Sequence, residues 1–231
     1  MSDRRAEIAA GLTAVTARID SACAAAGRDP DEITVIVVTK TFPATDVREL
    51  AGLGVRDVGE SRHQEAAPKV AECADLPVRW HFVGQLQRNK AAAVARYASV
   101  VHSVDRVRLV DALARGADAA DREIDCLVQV SLDEAAGRGG ASGDEVFRVA
   151  ERVASTDRLR LAGVMAVAPL GDDPHSAFSR LQGVAGTVRE RFPDAVWISA
   201  GMSHDLEAAI AHGATHLRVG SAILGTRPLR V

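Results

Sequence analysis

The spacing of hydrophobic positions along this chain changes near residue 33. Residues 2–27 place apolar side chains three or four positions apart, which is the period of an amphipathic helix. Asp3 and Gly27 suit the start and the end of that helix. Residues 33–38 are instead all β-branched and apolar on both faces, as expected of a strand buried in a parallel sheet. The pattern therefore predicts an N-terminal helix followed by a buried strand.

From residue 33 onward, short apolar runs alternate with longer segments of helical spacing. The predicted strands are residues 33–38, 55–59, 80–83, 99–102, 124–130, 159–165, 196–199 and 215–219. The predicted helices are residues 43–53, 65–72, 87–97, 105–119, 143–155, 175–192, 204–211 and a short one from 221. Strands that alternate with helices form a parallel sheet, and eight such units in this length favour a closed barrel.

An open, doubly wound sheet is the alternative fold. Such sheets usually have fewer strands, and the glycine-rich fingerprint after the first strand is missing here. We therefore expect a single α/β domain over residues 1–231. It would consist of a TIM-type (β/α)8 barrel over residues 33–231 and an extra N-terminal helix within residues 1–28.

Composition and charge exclude several classes of protein. The chain has a formal net charge of −3 and no long basic run, so we expect no nucleic-acid partner. Its longest apolar stretch is too short to cross a bilayer, and its charged N-terminal segment does not resemble a signal peptide. The three cysteines are widely spaced within apolar runs, which indicates reduced core residues of a cytoplasmic protein. The histidines show no metal-ligand spacing, so we expect no metal site.

Candidate chemistry is expected where the strands end, because barrels of this type place their sites at that face. Lys40 directly follows the most apolar strand, and lysine accounts for only three of the 28 basic residues. A lysine there is either a surface residue whose stem lies along apolar groups or an amine kept in a sheltered site. Only the second can react with an aldehyde, and arginine cannot replace it because guanidinium forms no imine.

Small and hydroxyl residues follow the last two strands. Ser199-Ala200-Gly201-Met202-Ser203 comes after the seventh strand and Gly220-Ser221 after the eighth, which is the usual phosphate site of a barrel. Hydroxyls and helix N-termini near Ser203 and Ser221 would face the anion. The alternative is that glycine and serine simply form turns and caps here.

Four other polar positions have less specific interpretations. Arg218 lies within the last strand and points either outward to a helix or inward to the site, which alternation alone leaves open. We expect His81 to be a hydrogen-bonded barrel residue. Arg88-Asn89-Lys90 is interpreted as a solvated helix start, and Glu60 as part of a charged helix face.

A reactive lysine beside a phosphate site favours pyridoxal 5′-phosphate as the ligand, and longer motifs agree. The chain resembles the pyridoxal phosphate homeostasis protein family, which shares the barrel of alanine racemase. The resemblance runs nearly end to end and is carried by Val37-Val38-Thr39-Lys40, Val58-Gly59-Glu60, Trp80-His81-Phe82-Val83-Gly84, Leu86-Gln87-Arg88-Asn89-Lys90, His102-Ser103-Val104-Asp105, Gly163-Val164-Met165-Ala166, Ser199-Ala200-Gly201-Met202-Ser203 and Arg218-Val219-Gly220-Ser221.

The resemblance implies a role for each site residue. Lys40 would hold the cofactor as an aldimine, and Arg218 would face the pyridine nitrogen. The remaining positions would hold the phosphate or line the ring: Ser61, Met165, Ser199, Met202, Ser203, Gly220 and Ser221. Two departures stand out. Ser61 replaces the usual Asn, so its ring contact differs, and Arg138 replaces a lysine, so no second aldimine can form there.

The resemblance further implies a monomeric protein that buffers or delivers pyridoxal phosphate without turnover, with apo-forms of the enzymes that use it as partners. A racemase or decarboxylase of the same fold is the alternative, and a class I aldolase-type barrel is a third possibility. We expect no turnover because the only tyrosine, Tyr97, is predicted to lie away from the strand ends. The chain also ends soon after the eighth strand, so we expect no second domain.

Overall fold

The computed structural model describes residues 3–132 and 139–226, which form a closed parallel barrel. Each strand pairs with the next, and the last pairs with the first. The strands are β1 Thr34–Val38, β2 Asp57–Glu60, β3 Arg79–Phe82, β4 Val100–Val104, β5 Ile124–Gln129, β6 Leu159–Met165, β7 Trp197–Ser199 and β8 His216–Val219. The helices are α1 Asp3–Ala26, α2 Ala44–Gly52, α3 His63–Glu72, α4 Ala91–Ala95, α5 Val107–Ala119, α6 Asp144–Ala154, α7 Pro174–Arg191, α8 Leu206–Ala211 and α9 Ser221–Leu224.

The barrel has two apolar regions, one on each side of the sheet. The larger lies between the strands and the surrounding helices. The smaller consists of Val100, Leu127, Ala162 and Met165, packed against Trp197. The second region fills only part of the barrel interior, and the other inward positions include the polar side chains described below.

The N-terminal helix α1 packs along α8 and α9. Its buried face contains Ile8, Val15, Ile19 and Cys23. Arginines at its N-terminal end and in its middle bond to the chain it covers: Arg4 donates to the carbonyl of Leu224 at 3.0 Å, and Arg18 donates to that of Ser203 at 2.9 Å. Because these carbonyls lie in the segments that follow β8 and β7, α1 fixes the loops at which the sequence predicted a phosphate site.

The predicted (β/α)8 barrel with its extra helix is confirmed, with two differences in the helices. The third predicted helix is a short 3-10 turn, Arg88–Lys90, followed by the five residues of α4. Helix α8 begins at Leu206 and not at residue 204, because Asp205 turns its carboxylate back to the backbone N–H of Met202 at 2.6 Å.

Three further expectations concern the cysteines, membrane-spanning helices and Arg138. The three cysteines are buried and free, as predicted. Among the described residues, no helix combines the length and the apolar character that a membrane crossing requires. Arg138, where the family pattern has lysine, lies outside the described residues.

Two helical glycines provide a matched test of the contact between α1 and α9. A Cβ at Gly11 would lie 2.5 Å from the carbonyl oxygen of Ile223, whereas one at Gly183 in α7 would meet nothing within 4 Å. We expect Gly11→Ala to lower the free energy of unfolding by about 1–3 kcal/mol through overpacking. Gly183→Ala should raise it by about 0.5–1 kcal/mol, the usual gain from alanine in a helix. Urea unfolding of both variants measures this, and equal effects would contradict the close packing of α1.

Candidate functional site

Lys40 lies in a tight turn directly after β1. Backbone N–H of Phe42 donates to the carbonyl of Thr39 at 3.1 Å and closes the turn around Lys40 and Thr41. Thr41 has φ of 70°, which is unusual for a β-branched residue and costs about 1–3 kcal/mol. Strained residues of this kind persist where the surrounding structure imposes them, and they cluster at functional sites. Lys40 itself is half-buried.

The residue before Lys40 is held by an ion pair that the sequence did not predict. Glu60 and Lys69 are 1% and 6% exposed and form a salt bridge. The ammonium of Lys69 also donates to the carbonyl of Thr39 at 2.7 Å, and the Thr39 hydroxyl donates to Glu60 at 2.6 Å. Interpreting Glu60 as part of a charged helix face was therefore wrong. It is a strand residue that pairs with α3 in the layer behind Lys40.

Arg218 points into the barrel, which settles the orientation that the sequence left open. It pairs in register with Ile36 of β1 and is 6% exposed. Its guanidinium donates to the Ser199 hydroxyl at 2.7 Å and to the carbonyl of Ala166 at 2.8 Å. Burial lowers the pKa of Arg218 to about 10, although the carboxylate of Asp205 acts in the opposite direction. The group therefore stays protonated at neutral pH.

Ser199 is fully buried and accepts a hydrogen bond from Arg218. The same hydroxyl also bonds to His102. His102 in turn contacts His81, whose other ring nitrogen contacts Asp57. The expectation that His81 is a hydrogen-bonded barrel residue is confirmed. No role was predicted for His102, although it lies in one of the motifs of the resemblance, or for Asp57.

The two predicted phosphate serines lie together. The Ser221 hydroxyl donates to that of Ser203 at 3.2 Å, and the backbone N–H of Ala222 points at the same Ser203 oxygen at 3.3 Å. Gly201 sets the path of the first loop, since its φ is 88° and a Cβ there would lie 2.7 Å from Ala209. The expected helix N-terminus at Ser203 was wrong, because α8 begins later. Hydroxyls and the first N–H groups of α9 are the available donors.

The remaining predicted residues differ in exposure. Met165 is 2% exposed at the end of β6, and Met202 is 37% exposed in the loop after β7. Ser61 is half-buried after β2. Tyr97 lies nearer the strand ends than predicted, since its ring stacks on that of His63 at the start of α3, with ring centres 6.0 Å apart. Burial, with a contribution from Glu60, raises the pKa of Tyr97.

Comparisons with known proteins show which family the chain belongs to. Residues 12–228 match the family model for the alanine racemase N-terminal domain. The pyridoxal phosphate homeostasis protein of Mycobacterium tuberculosis H37Rv is 47% identical over 247 aligned residues, covering 99% of this chain and 96% of that protein. The chain belongs to the pyridoxal phosphate homeostasis protein family.

More distant relatives match this chain over nearly its whole length. The Escherichia coli K12 protein of the same name is 36% identical, with 96% of this chain and 97% of that protein covered. The structure of PipY from Synechococcus elongatus PCC7942, solved with PLP bound, is 32% identical and superposes with a TM-score of 0.79. It covers 90% of this chain and 100% of PipY. The resemblance found in the sequence motifs is thus confirmed over the whole barrel.

The pair behind Lys40 can be tested by its effect on stability. Lys69→Met would leave the buried carboxylate of Glu60 without its cation, which typically costs about 3–5 kcal/mol. Lys90 is the matched control, because it is half-buried and forms no salt bridge within residues 3–132 and 139–226. We expect Lys90→Met to change the free energy of unfolding by less than about 0.5 kcal/mol. Chemical denaturation measures both, and an equally small effect of Lys69→Met would show that the pair is not structural.

Proposed function

We propose that this chain binds pyridoxal 5′-phosphate through Lys40 and serves in its homeostasis, by buffering or delivering the cofactor without turning over amino acids. The observation that carries the proposal is the arrangement at one end of the barrel. An amine follows β1, two hydroxyls follow β7 and β8, and a buried guanidinium on β8 bonds to residues at the ends of β6 and β7. The names of its relatives and the ligand of PipY support the same cofactor.

The residues present fit this cofactor group by group. Lysine alone among the cationic side chains condenses with an aldehyde to form a Schiff base, with loss of water. Ser203, Ser221 and the N–H of Ala222 already converge on one point and would turn to the phosphate oxygens. Arg218 donates and cannot accept, so it suits an unprotonated pyridine nitrogen. The strained turn at Thr41 holds the amine in place.

Arg218 is also the main argument against turnover. When bound to an enzyme, pyridoxal phosphate supplies an electron sink for bonds broken at the amino-acid α-carbon, and the partner of the ring nitrogen tunes it. A guanidinium disfavours protonation of that nitrogen, which weakens the sink. Tyr97 is the only tyrosine, and burial raises the pKa of its phenol. It is therefore poorly suited to move a proton opposite Lys40.

The attachment point is tested by reductive trapping. Borohydride treatment of the loaded protein should fix one pyridoxyl group on Lys40, which peptide mapping by mass spectrometry locates. Lys40→Arg should keep the charge but abolish the adduct and the near-visible absorption band, whereas Lys90→Arg should leave both unchanged. An adduct found mainly on Lys69 or Lys90 would refute the assignment.

The phosphate site is tested with pyridoxal, which lacks the phosphate. Charge-assisted hydrogen bonds contribute about 1.5–3 kcal/mol each, so the phosphorylated form should bind at least about 100-fold more tightly. The double variant Ser203→Ala with Ser221→Ala should reduce that ratio by about tenfold or more, and the exposed Ser155→Ala should not. Titration followed by calorimetry gives the constants. Equal affinity for the two vitamers in the unaltered protein would place the phosphate elsewhere.

Absence of turnover is tested with a panel of L-amino acids. Chiral chromatography should detect no sustained formation of D-isomers, and a carbon dioxide assay should detect no decarboxylation. Rates of about 1–10³ s⁻¹, the range typical of enzymes, would favour the racemase or decarboxylase alternative if Lys40→Ala abolished them. Action on the intracellular cofactor pool, exchange with apoenzymes and a monomeric state stay predictions.

A further inference from the structure

Five side chains form a continuous line of hydrogen bonds through the barrel interior. Arg218 donates to Ser199 at 2.7 Å, and Ser199 lies 2.9 Å from Nδ1 of His102. Nε2 of His102 lies 2.9 Å from Nδ1 of His81, whose Nε2 lies 2.8 Å from Oδ1 of Asp57. The line runs from Arg218 in β8 to Asp57, the first residue of β2. We call it the interior relay.

Asp57 and the neutral state of both rings together fix the direction of the bonds in the interior relay. An ionised carboxylate can only accept, so His81 donates from Nε2 to Asp57. Nδ1 of the neutral His81 then accepts from Nε2 of His102. Nδ1 of the neutral His102 accepts in turn from the hydroxyl of Ser199, which itself accepts from Arg218 because a guanidinium can only donate. Both histidines thus carry their proton on Nε2.

The surroundings favour these protonation states. Burial lowers the pKa of His102 well below its ordinary value, and His81 and Arg218 act in the same direction. Burial also lowers the pKa of His81, against the opposing effect of Asp57. Asp57 itself has a lowered pKa, since the bond from His81 and the charge of Arg79 outweigh its burial. A second proton on either histidine would reverse the bond between Ser199 and His102, so that the ring would donate to the hydroxyl.

The interior relay joins a buried cation to a distant carboxylate. Among the described residues, no carboxylate hydrogen-bonds to Arg218, although its guanidinium is almost completely buried. Each bond in the line polarises the next, so the negative charge of Asp57 strengthens the acceptor that Ser199 presents to Arg218. Removing the Ser199 hydroxyl would leave the guanidinium with the carbonyl of Ala166 as its remaining acceptor in this set.

We propose that Asp57, His81 and His102 are positioning residues that act through Ser199 to hold Arg218 against the ring nitrogen of the bound cofactor. The proposal rests on the proposed function for the identity of the ligand. None of these three residues needs to touch the ligand. Their effect on binding should accordingly depend on the ring nitrogen and on no other part of the molecule.

The state of the interior relay is measured first on the protein without cofactor. Long-range ¹H–¹⁵N correlation spectra distinguish the two histidine tautomers and the protonated ring. We expect His81 and His102 to be neutral with the proton on Nε2 at pH 7. Ser199→Ala removes the donor to His102 and should shift its Nδ1 resonance. A proton on Nδ1 of either ring in the unaltered protein would overturn the assigned direction.

The second measurement compares pyridoxal phosphate with its 1-deaza analogue, in which C–H replaces the ring nitrogen. Ser199→Ala should weaken binding of pyridoxal phosphate by about tenfold. Asp57→Asn keeps an acceptor for His81 but removes the charge, and should weaken it by about threefold. Both variants should change affinity for the deaza analogue by less than about twofold. Equal losses for the two ligands would refute the positioning role.

An ion-paired carboxylate outside the barrel interior provides the matched control. Asp111 pairs with Arg152 at 2.8 Å between α5 and α6. Asp111→Asn should leave both affinities unchanged, and if it lowered the affinity for pyridoxal phosphate as Asp57→Asn does, the effect would be general and the proposal wrong. If the unaltered protein bound neither ligand, the proposed function would fail, while the tautomer measurement would still decide the direction of the relay.

Discussion

A permanent cation inside the barrel is the constraint on which the rest of the interior depends. A desolvated guanidinium is tolerated only when its N–H groups find acceptors. Arg218 obtains them from Ser199 and from the carbonyl of Ala166. Ser199 also bonds to His102, and the line of hydrogen bonds continues through His81 to Asp57. The apolar interior cluster is correspondingly small. A line of polar side chains thus occupies part of the interior that apolar side chains usually fill in such barrels.

The same cation limits what the site can do. In the proposed binding mode, an arginine at the ring nitrogen would hold the cofactor without activating it strongly, which suits storage and exchange better than catalysis. The segments that carry Lys40 and the predicted phosphate-binding serines are each stabilised by contacts outside the barrel interior. The Glu60–Lys69 pair holds the backbone before Lys40, and α1 holds the loop that carries Ser203. Three separate sets of contacts thus build the proposed binding geometry: the interior relay, the Glu60–Lys69 pair and the contacts of α1. They share no side chain.

The parts of the candidate site that follow directly from strand order could be predicted from the sequence. Lys40 and Arg218 were found because their residue types are unusual at those positions, and the serine loops because they follow β7 and β8. The direction of Arg218 needed the register between β1 and β8. Glu60 was misinterpreted because its partner Lys69 meets it only when α3 folds back on the sheet. His102 belongs to a motif of the family resemblance, but its bonds could not be predicted from the sequence because they depend on neighbours from β3 and β7.

The central claim is that Lys40, Arg218 and the two serines hold one cofactor in one orientation. A crystal structure of the protein grown with pyridoxal 5′-phosphate tests this most directly. The account predicts continuous electron density from Nζ of Lys40 to the ring, the ring nitrogen within hydrogen-bond distance of Arg218, and the phosphate against Ser203 and Ser221. A ring bound elsewhere, or turned so that the phosphate meets Arg218, would contradict it.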